Sequence, residues 1–388
     1  MNKVVLVDHN ERNHLLPLTF TRPVGLIRVG IFTIAEKWQK RFNVKVSYKT
    51  QDYLNALFPS DPDAVEWAIN GVLIPSQEIV NEIKALQKGE SLYADSTWLA
   101  TRASDDRGIS MENTEKKNAI CKPKVIDRSW KIFQLNGWAM QEDFEWLKLN
   151  TKSISLPKDV ILIGKDILIE EGAVVRPCII NCESGPVFLA KGSEVMEGCL
   201  IRGGLALMEG AQLKMGAKIY GPTTIGPHSK VGGEVNNAVI FGFSNKGHDG
   251  FLGNSVIGEW CNLGADTNTS NLKNNYADVK IFNYALNRSE STGGQFCGLT
   301  MGDHAKSGIN TMFNTGTVCG IFANVFGSGF PHRRIPDFGW GGAEGFKIFR
   351  IGEALEAAEK VMSRRGIELN DDWRKVFDHL YHELSPKL

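Results

Sequence analysis

The sequence predicts two architectures in one chain: an α/β lobe with a mainly parallel sheet, then a left-handed parallel β-helix followed by C-terminal helices. Three observations lead there. Strand-like and helix-like segments alternate over the first 150 residues. From Leu189 onward aliphatics recur every six residues, at Val195, Ile201, Leu207, Leu213, Ile219, Ile225 and Val231. Two amphipathic segments close the chain. The expected divisions are residues 1–150, 155–342 and 343–388.

In the lobe, "KVVLVD" reads as a first strand and "FTIAEKWQKRF" as an amphipathic helix. "VEWAINGVLI" reads as a buried strand, and the helix in "PSQEIVNEIKALQKG" has Ser76 as its N-cap and Gly89 just past its end. "ESLYADSTWLATRAS" returns as a strand. A period of six suits neither an α-helix nor an alternating strand. It suits a triangular coil in which each hexad forms one side and its aliphatic fills the interior. Small residues follow four positions later at Ser193, Cys199, Ala211, Ala217, Thr223 and Ser229. The pattern resumes at Phe251, Ile257 and Leu263, and again at Met301, Ser307, Phe313, Cys319 and Val325. Between these runs lie two interruptions, Val235 to Gly250 and Thr269 to Leu299, where polar residues are expected to loop out. At the end, "GEALEAAEKVMSRRG" and "NDDWRKVFDHLYHEL" read as helices, the second capped by Asn370.

Composition narrows the partners. Lys plus Arg and Asp plus Glu number 44 each, so no global field draws nucleic acid or an acidic membrane, and recognition must be local. The 7 cysteines form no C-x-x-C pair, which fits reduced thiols in a reducing compartment. Nowhere do about 18 apolar residues run together, so the expectation is a soluble, cytoplasmic protein without a membrane partner.

Within the second run, "KGHDGFLGNSVIGEWCNLGADTNTSNLKNN" resembles the histidine motif of bifunctional sugar-1-phosphate nucleotidyltransferase/amino-sugar-phosphate N-acetyltransferases, members of the hexapeptide-repeat acyltransferases. His248, Gly253, Ser255, Gly258, Asn262, Gly264, Ala265, Thr267 and Asn271 fall in step with it. The later block "GLTMGDHAKSGINTMFNTG" is similar to that of archaeal-type members. The resemblance implies that His248 is a general base and that Asn271 orients it or the sugar. It further implies that Lys246, Lys280 and Asn262 meet the substrate, that acetyl-CoA is the acyl donor, and that the assembly is a homotrimer. The chemistry is sound on its own terms, since an amine must lose a proton to attack a thioester and histidine titrates near neutrality. Phe251 and Asp249 depart from the family's tyrosine and leucine, removing one hydroxyl contact to the acceptor. His304, at a turn of a regular hexad, reads as structural. Arg333 and Arg334 are candidates for coenzyme A phosphates.

"LLPLTFTRPVGLIRVG" resembles the nucleotidyltransferase signature, matching at Pro17, Leu18, Thr19, Arg22, Pro23, Leu26 and Val29. Arg22 and Arg28 are candidates to hold an anionic nucleotide, with Mg²⁺ required if the lobe is active. Against this, "HNERNH" replaces the glycine-rich phosphate loop, and Asn70-Gly71 stands where a metal-binding aspartate belongs. No metal ligand set is expected. Three functions therefore stay open: acyl transfer to an amino-sugar phosphate beside a degenerate lobe; sugar-1-phosphate nucleotidyl transfer on an oligomerisation scaffold; and non-catalytic sugar-nucleotide binding.

Overall fold

A computed structural model describes residues 3–60, 65–104 and 114–385. The chain forms two compact units, one comprising residues 1–15, 21–27 and 32–128, the other residues 16–20, 28–31 and 129–388.

In the first unit the strands Lys3–Val7, Val46–Lys49 and Val65–Asn70 are parallel, with Lys3–Val7 in the middle. Helix α1 (Ile34–Phe42) starts at a capping box between Thr33 and Glu36, and α2 (Gln77–Ala85) starts at Ser76, whose hydroxyl accepts from the Ile79 amide. The sheet is more mixed than expected. "ESLYADSTWLATR" is not one strand but a hairpin, Glu90–Ala94 and Thr97–Arg102, which turns at Asp95 in the left-handed region (φ 51°).

The second unit is the expected parallel β-helix. Successive strands visit three faces in turn: Ile161–Ile163 starts the third, Ile167–Ile169 the first and Val174–Val175 the second, and Ile179–Asn181 returns to the third. Each strand pairs in parallel with its counterpart one coil away, so Leu189, Leu207 and Ile225 stack inside the first face and Val195, Leu213 and Val231 inside the second. All are buried in one aliphatic core. Helix α3 (Ser129–Asn150), which the sequence division assigns to the first lobe, clusters with this unit and lies against the first-face strands Thr223–Ile225 and Val256–Ile257.

The first expected interruption is absent. Val235 to Gly250 continues the coil without looping out, pairing strand by strand with the levels on either side. The hexads lose phase there because corners shorten. Gly232–Gly233 links Val231 to Glu234 where four residues link Leu213 to Lys218, and the next corner, Asn236 to Val239, is one residue shorter than Tyr220 to Thr224, so interior positions Leu213, Val231 and Lys246 are spaced 18 and then 15 residues apart. The same slip turns Phe251 outward, opposite Glu234, and puts Leu252 in the core opposite Val235. The second interruption is real and folds as a hairpin, Lys280–Asn283 with Arg288–Ser291.

At the corner between first and second faces stands a column of rings: His228, Phe243, Trp260, His304, Phe322 and Phe338. All adopt left-handed φ between 52° and 61°. Neighbouring rings stack, with centroids 4.2 Å apart for Phe243–Trp260 and 4.6 Å for His304–Phe322. Non-glycine residues pay about 1–2 kcal/mol for this backbone, and each ring pair returns about 0.5–1.5 kcal/mol beyond burial. Helices α4 (Ile351–Ser363) and α5 (Asp371–Leu384) follow, α5 capped by Asn370. Phe377 of α5 meets His304 and Phe322 edge-on, and Tyr381 meets Phe338.

Candidate functional site

His248 is exposed on the turn Gly247–Gly250, at the corner between the second and third faces. The turn is held from both sides. Gly250 O accepts from Glu234 N in the coil below, and Asp249 O accepts from Asp266 N in the coil above. Gly250 itself has φ 114°, and a Cβ there would stand 2.3 Å from Thr267 O.

The imidazole borders a cleft of about 940 Å³ whose floor is the outer surface of the second face. Lys230, Asn245, Asn262 and Lys306 each immediately precede an interior residue and therefore point outward on successive levels into that cleft. Lys214 joins from the same side, Trp260 from the ring corner, and Arg364 and Arg365 from the end of α4. Arg365 donates to Asn245 Oδ1 at 3.2 Å. No carboxylate lines the cleft among the described residues. Burial pushes the Lys230 ammonium below its ordinary range, with Arg365, Lys214 and Arg364 adding to the effect. Lys306 is likewise lowered by burial. Cations crowded in this way stabilise a bound anion by relief of their mutual repulsion.

Of the expected site residues, the structure brings together His248 and Asn262. Lys246 requires correction: it is an interior residue, 2% exposed, whose Nζ donates to the carbonyls of Gly232 (3.0 Å) and His248 (2.8 Å). It faces the interior of the coil and does not line the cleft. Asn271 lies at the other end of the third face, its amide donating to Asn254 Oδ1 at 2.7 Å. The strand Phe251–Gly253 separates it from His248 within the chain, about 10 Å at strand rise. It therefore does not orient His248 within one chain. Lys280 is exposed on the inserted hairpin, away from the cleft lining. Arg333 and Arg334 do not reach the cleft either. Arg334 lies 4.0 Å over the Phe282 ring, committed to a cation–π contact with the hairpin.

In the first unit, Arg22 is 5% exposed; in the second, Arg28 is 8% exposed and donates to Ile31 O. Burial and that bond oppose the expected nucleotide contacts. After Lys3–Val7 the chain winds into a 3₁₀ helix, Asn10–Leu15, instead of an open glycine cradle. Asp8 accepts from Val24 N at 2.8 Å and from Thr50 Oγ1 at 2.6 Å, and pairs with Arg12 Nε at 3.4 Å. Burial raises the Asp8 carboxyl above its ordinary range. Asn70 is wholly buried, donating to Trp98 O and accepting from Val72 N. These groups are spent on the fold and do not fit a magnesium site, and no cluster of His, Cys, Asp and Glu suited to a metal occurs among the described residues.

What sequence reasoning missed was the basic lining. Lys230 and Lys306 could have been read from the residue preceding each interior position, whereas Arg364 and Arg365 carry no local signal.

Comparisons with known proteins bear on both parts of the chain. Residues 4–152 match the family described as sugar nucleotidyl transferase. Over 243 residues the chain is 27% identical to a protein named bifunctional protein GlmU from Methanocaldococcus jannaschii, covering 63% of this chain and 51% of the relative. It is also 27% identical over 255 residues to a bifunctional sugar-1-phosphate nucleotidylyltransferase/acetyltransferase from Sulfurisphaera tokodaii, covering 65% and 58%. The chain thus spans about half the length of these curated relatives. Among solved structures, an Arabidopsis UDP-N-acetylglucosamine acyltransferase aligns over 51% of this chain and 80% of its own, at 14% identity and a TM-score of 0.21. The chain resembles the bifunctional nucleotidyltransferase/acetyltransferase family, with a nucleotidyltransferase-like N-terminal region and a hexapeptide-repeat β-helix.

Proposed function

We propose that this chain is a transferase of sugar-nucleotide synthesis whose β-helix moves an acetyl group from acetyl-CoA to the amine of an amino-sugar phosphate. The observation that carries the reading is a single exposed histidine on a pinned turn at the edge of a cleft lined by cations and no carboxylate. Both co-substrates are phosphate esters, and such a cleft favours them over neutral ligands. His248 takes the proton from the attacking amine, and the acyl carbon passes from sulfur to nitrogen with the thiolate leaving. Lys230, Lys214, Arg364 and Arg365 hold phosphate. Base catalysis of this kind contributes about 10²–10⁴-fold. The test is thiol release from acetyl-CoA in the presence of glucosamine 1-phosphate, comparing the wild type with His248→Ala. A kcat reduced at least a hundredfold, with an unchanged melting temperature, is expected; unchanged turnover would sink the assignment.

Asn271 and Lys280, remote from His248 within one chain, belong to this reading only if a neighbouring copy supplies them. The third face supports association, since Ile161 (57% exposed), Ile179 and Leu200 (47%) form an outward aliphatic row. A homotrimer is the proposed assembly, and sedimentation equilibrium checks it. No helix among the described residues is long and apolar enough to cross a membrane. The family match over residues 4–152 favours a second reading, sugar-1-phosphate nucleotidyl transfer. Pyrophosphate release from UTP or dTTP with a sugar 1-phosphate and Mg²⁺ tests it. The geometry around Asp8 and Asn70 argues against that activity.

A further inference from the structure

The interior of the β-helix is aliphatic along the second face until the level of His248, where Val231 is followed by Lys246 and then by Leu263. Burial pushes the Lys246 ammonium down to about 8, and Asp249 and Asp266 on neighbouring turns oppose that shift without forming an ion pair with it among the described residues. An enclosed ammonium answered only by carbonyls is a costly choice where valine or leucine fits. Stability alone does not account for it.

Its two hydrogen bonds suggest the gain. One carbonyl, Gly232 O, belongs to the shortened corner of the coil below; the other, His248 O, belongs to the turn that carries the imidazole. That turn is flanked by Gly247, which nothing crowds, and by Gly250, so its backbone has more conformations to lose than an ordinary corner. We propose that Lys246 is a positioning residue: its ammonium ties the His248 main chain to the Gly232 corner and so aims the imidazole at the cleft. This rests on the reading of His248 as the base. A displacement of about 1 Å in such a group can cost 10²-fold in rate.

The experiment uses the full chain carrying Lys246→Met, which keeps side-chain length and removes both bonds, with Lys246→Leu as a second variant. The expected result is a melting temperature equal to or above that of the wild type, a kcat at least tenfold lower, and a KM for acetyl-CoA within twofold, because Lys230, Arg364 and Arg365 are untouched. Amide hydrogen exchange across Gly247–Gly250 should accelerate at least tenfold. An unchanged kcat with unchanged exchange would overturn the proposal, as would a kcat loss matched by a rise in KM and a fall in melting temperature. Failure of both variants to fold would also overturn it, since the position would then serve stability. If the wild type transfers no acetyl group, the acetyltransferase reading fails, and the exchange measurement still decides whether the tether exists.

Discussion

Asp337 shows how one buried carboxyl sets a pH response. Its Oδ1 accepts from Ile321 N at 2.8 Å and its Oδ2 from Tyr284 of the inserted hairpin at 3.0 Å, and burial raises it to about 6. The folded value lies above the unfolded value of 3.8, so the neutral form is favoured by folding. The stability it contributes is complete below pH 4 and lost as pH rises through 6, at most about 3 kcal/mol. Asp337→Asn should flatten that segment of a stability–pH curve measured by urea unfolding, and an unchanged slope between pH 4 and 6 would refute it. Across the cleft, Arg365→Glu reverses a charge that leans on Lys230. It should raise KM for acetyl-CoA by tenfold or more while leaving kcat within threefold, as steady-state kinetics would report. At this scale the sequence was informative about His248, because a histidine between glycines departs from every neighbouring hexad. It was uninformative about Lys246, whose interior placement depends on the two-residue corner at Gly232–Gly233 shifting the phase.

Elements respond through the ring corner. Phe322 is buried between His304 and Phe338 and meets Phe377 of α5. Phe322→Ala should cost about 3–5 kcal/mol and release α5. A lowered unfolding midpoint with faster hydrogen exchange across Asp371–Leu384 would confirm this, and exchange unchanged there would refute it. The β-helix was legible because its interior repeats every six residues whatever the outer residues are. The ring column was not, because its members stand at corners, where sequence patterns report turns and say nothing about which side chains stack. The hairpin Glu90–Arg102 was hidden for a related reason: Asp95-Ser96 is a weak turn signal, and only the left-handed backbone at Asp95 reveals it.

For the molecule as a whole, the chain's order and its packing do not coincide. Gly30 N donates to Asn136 Oδ1 at 2.7 Å, Ile31 N to Asp143 Oδ2 at 2.8 Å, and Thr224 Oγ1 to Gly30 O at 2.8 Å. A chain beginning at Ser129 would leave these buried groups without those partners, about 1–3 kcal/mol each. It should unfold at lower urea concentration than the full chain; equal midpoints would refute this. No sequence pattern could place residues 28–31 with α3, since the pairing spans more than a hundred positions. Cysteine chemistry is likewise global. Six of the 7 thiols are buried and Cys121 is half-buried, with Cys178 pushed up to about 11 and Cys297 to about 12 by burial. A thiol reagent at pH 8 should titrate about one group in the native protein and all 7 in urea.

The short corner at Gly232–Gly233 and the long hairpin after Thr269 have a shared consequence for how such a chain tolerates insertions and deletions. Both change the residue count of a coil, and in both cases the chain re-enters the correct face with its interior column intact. Gains and losses at a vertex are therefore absorbed whatever their length. A single residue added within a face would exchange inside for outside along that strand. Evolution of such a coil is free to lengthen or trim its vertices, which is where His248 and the hairpin both stand.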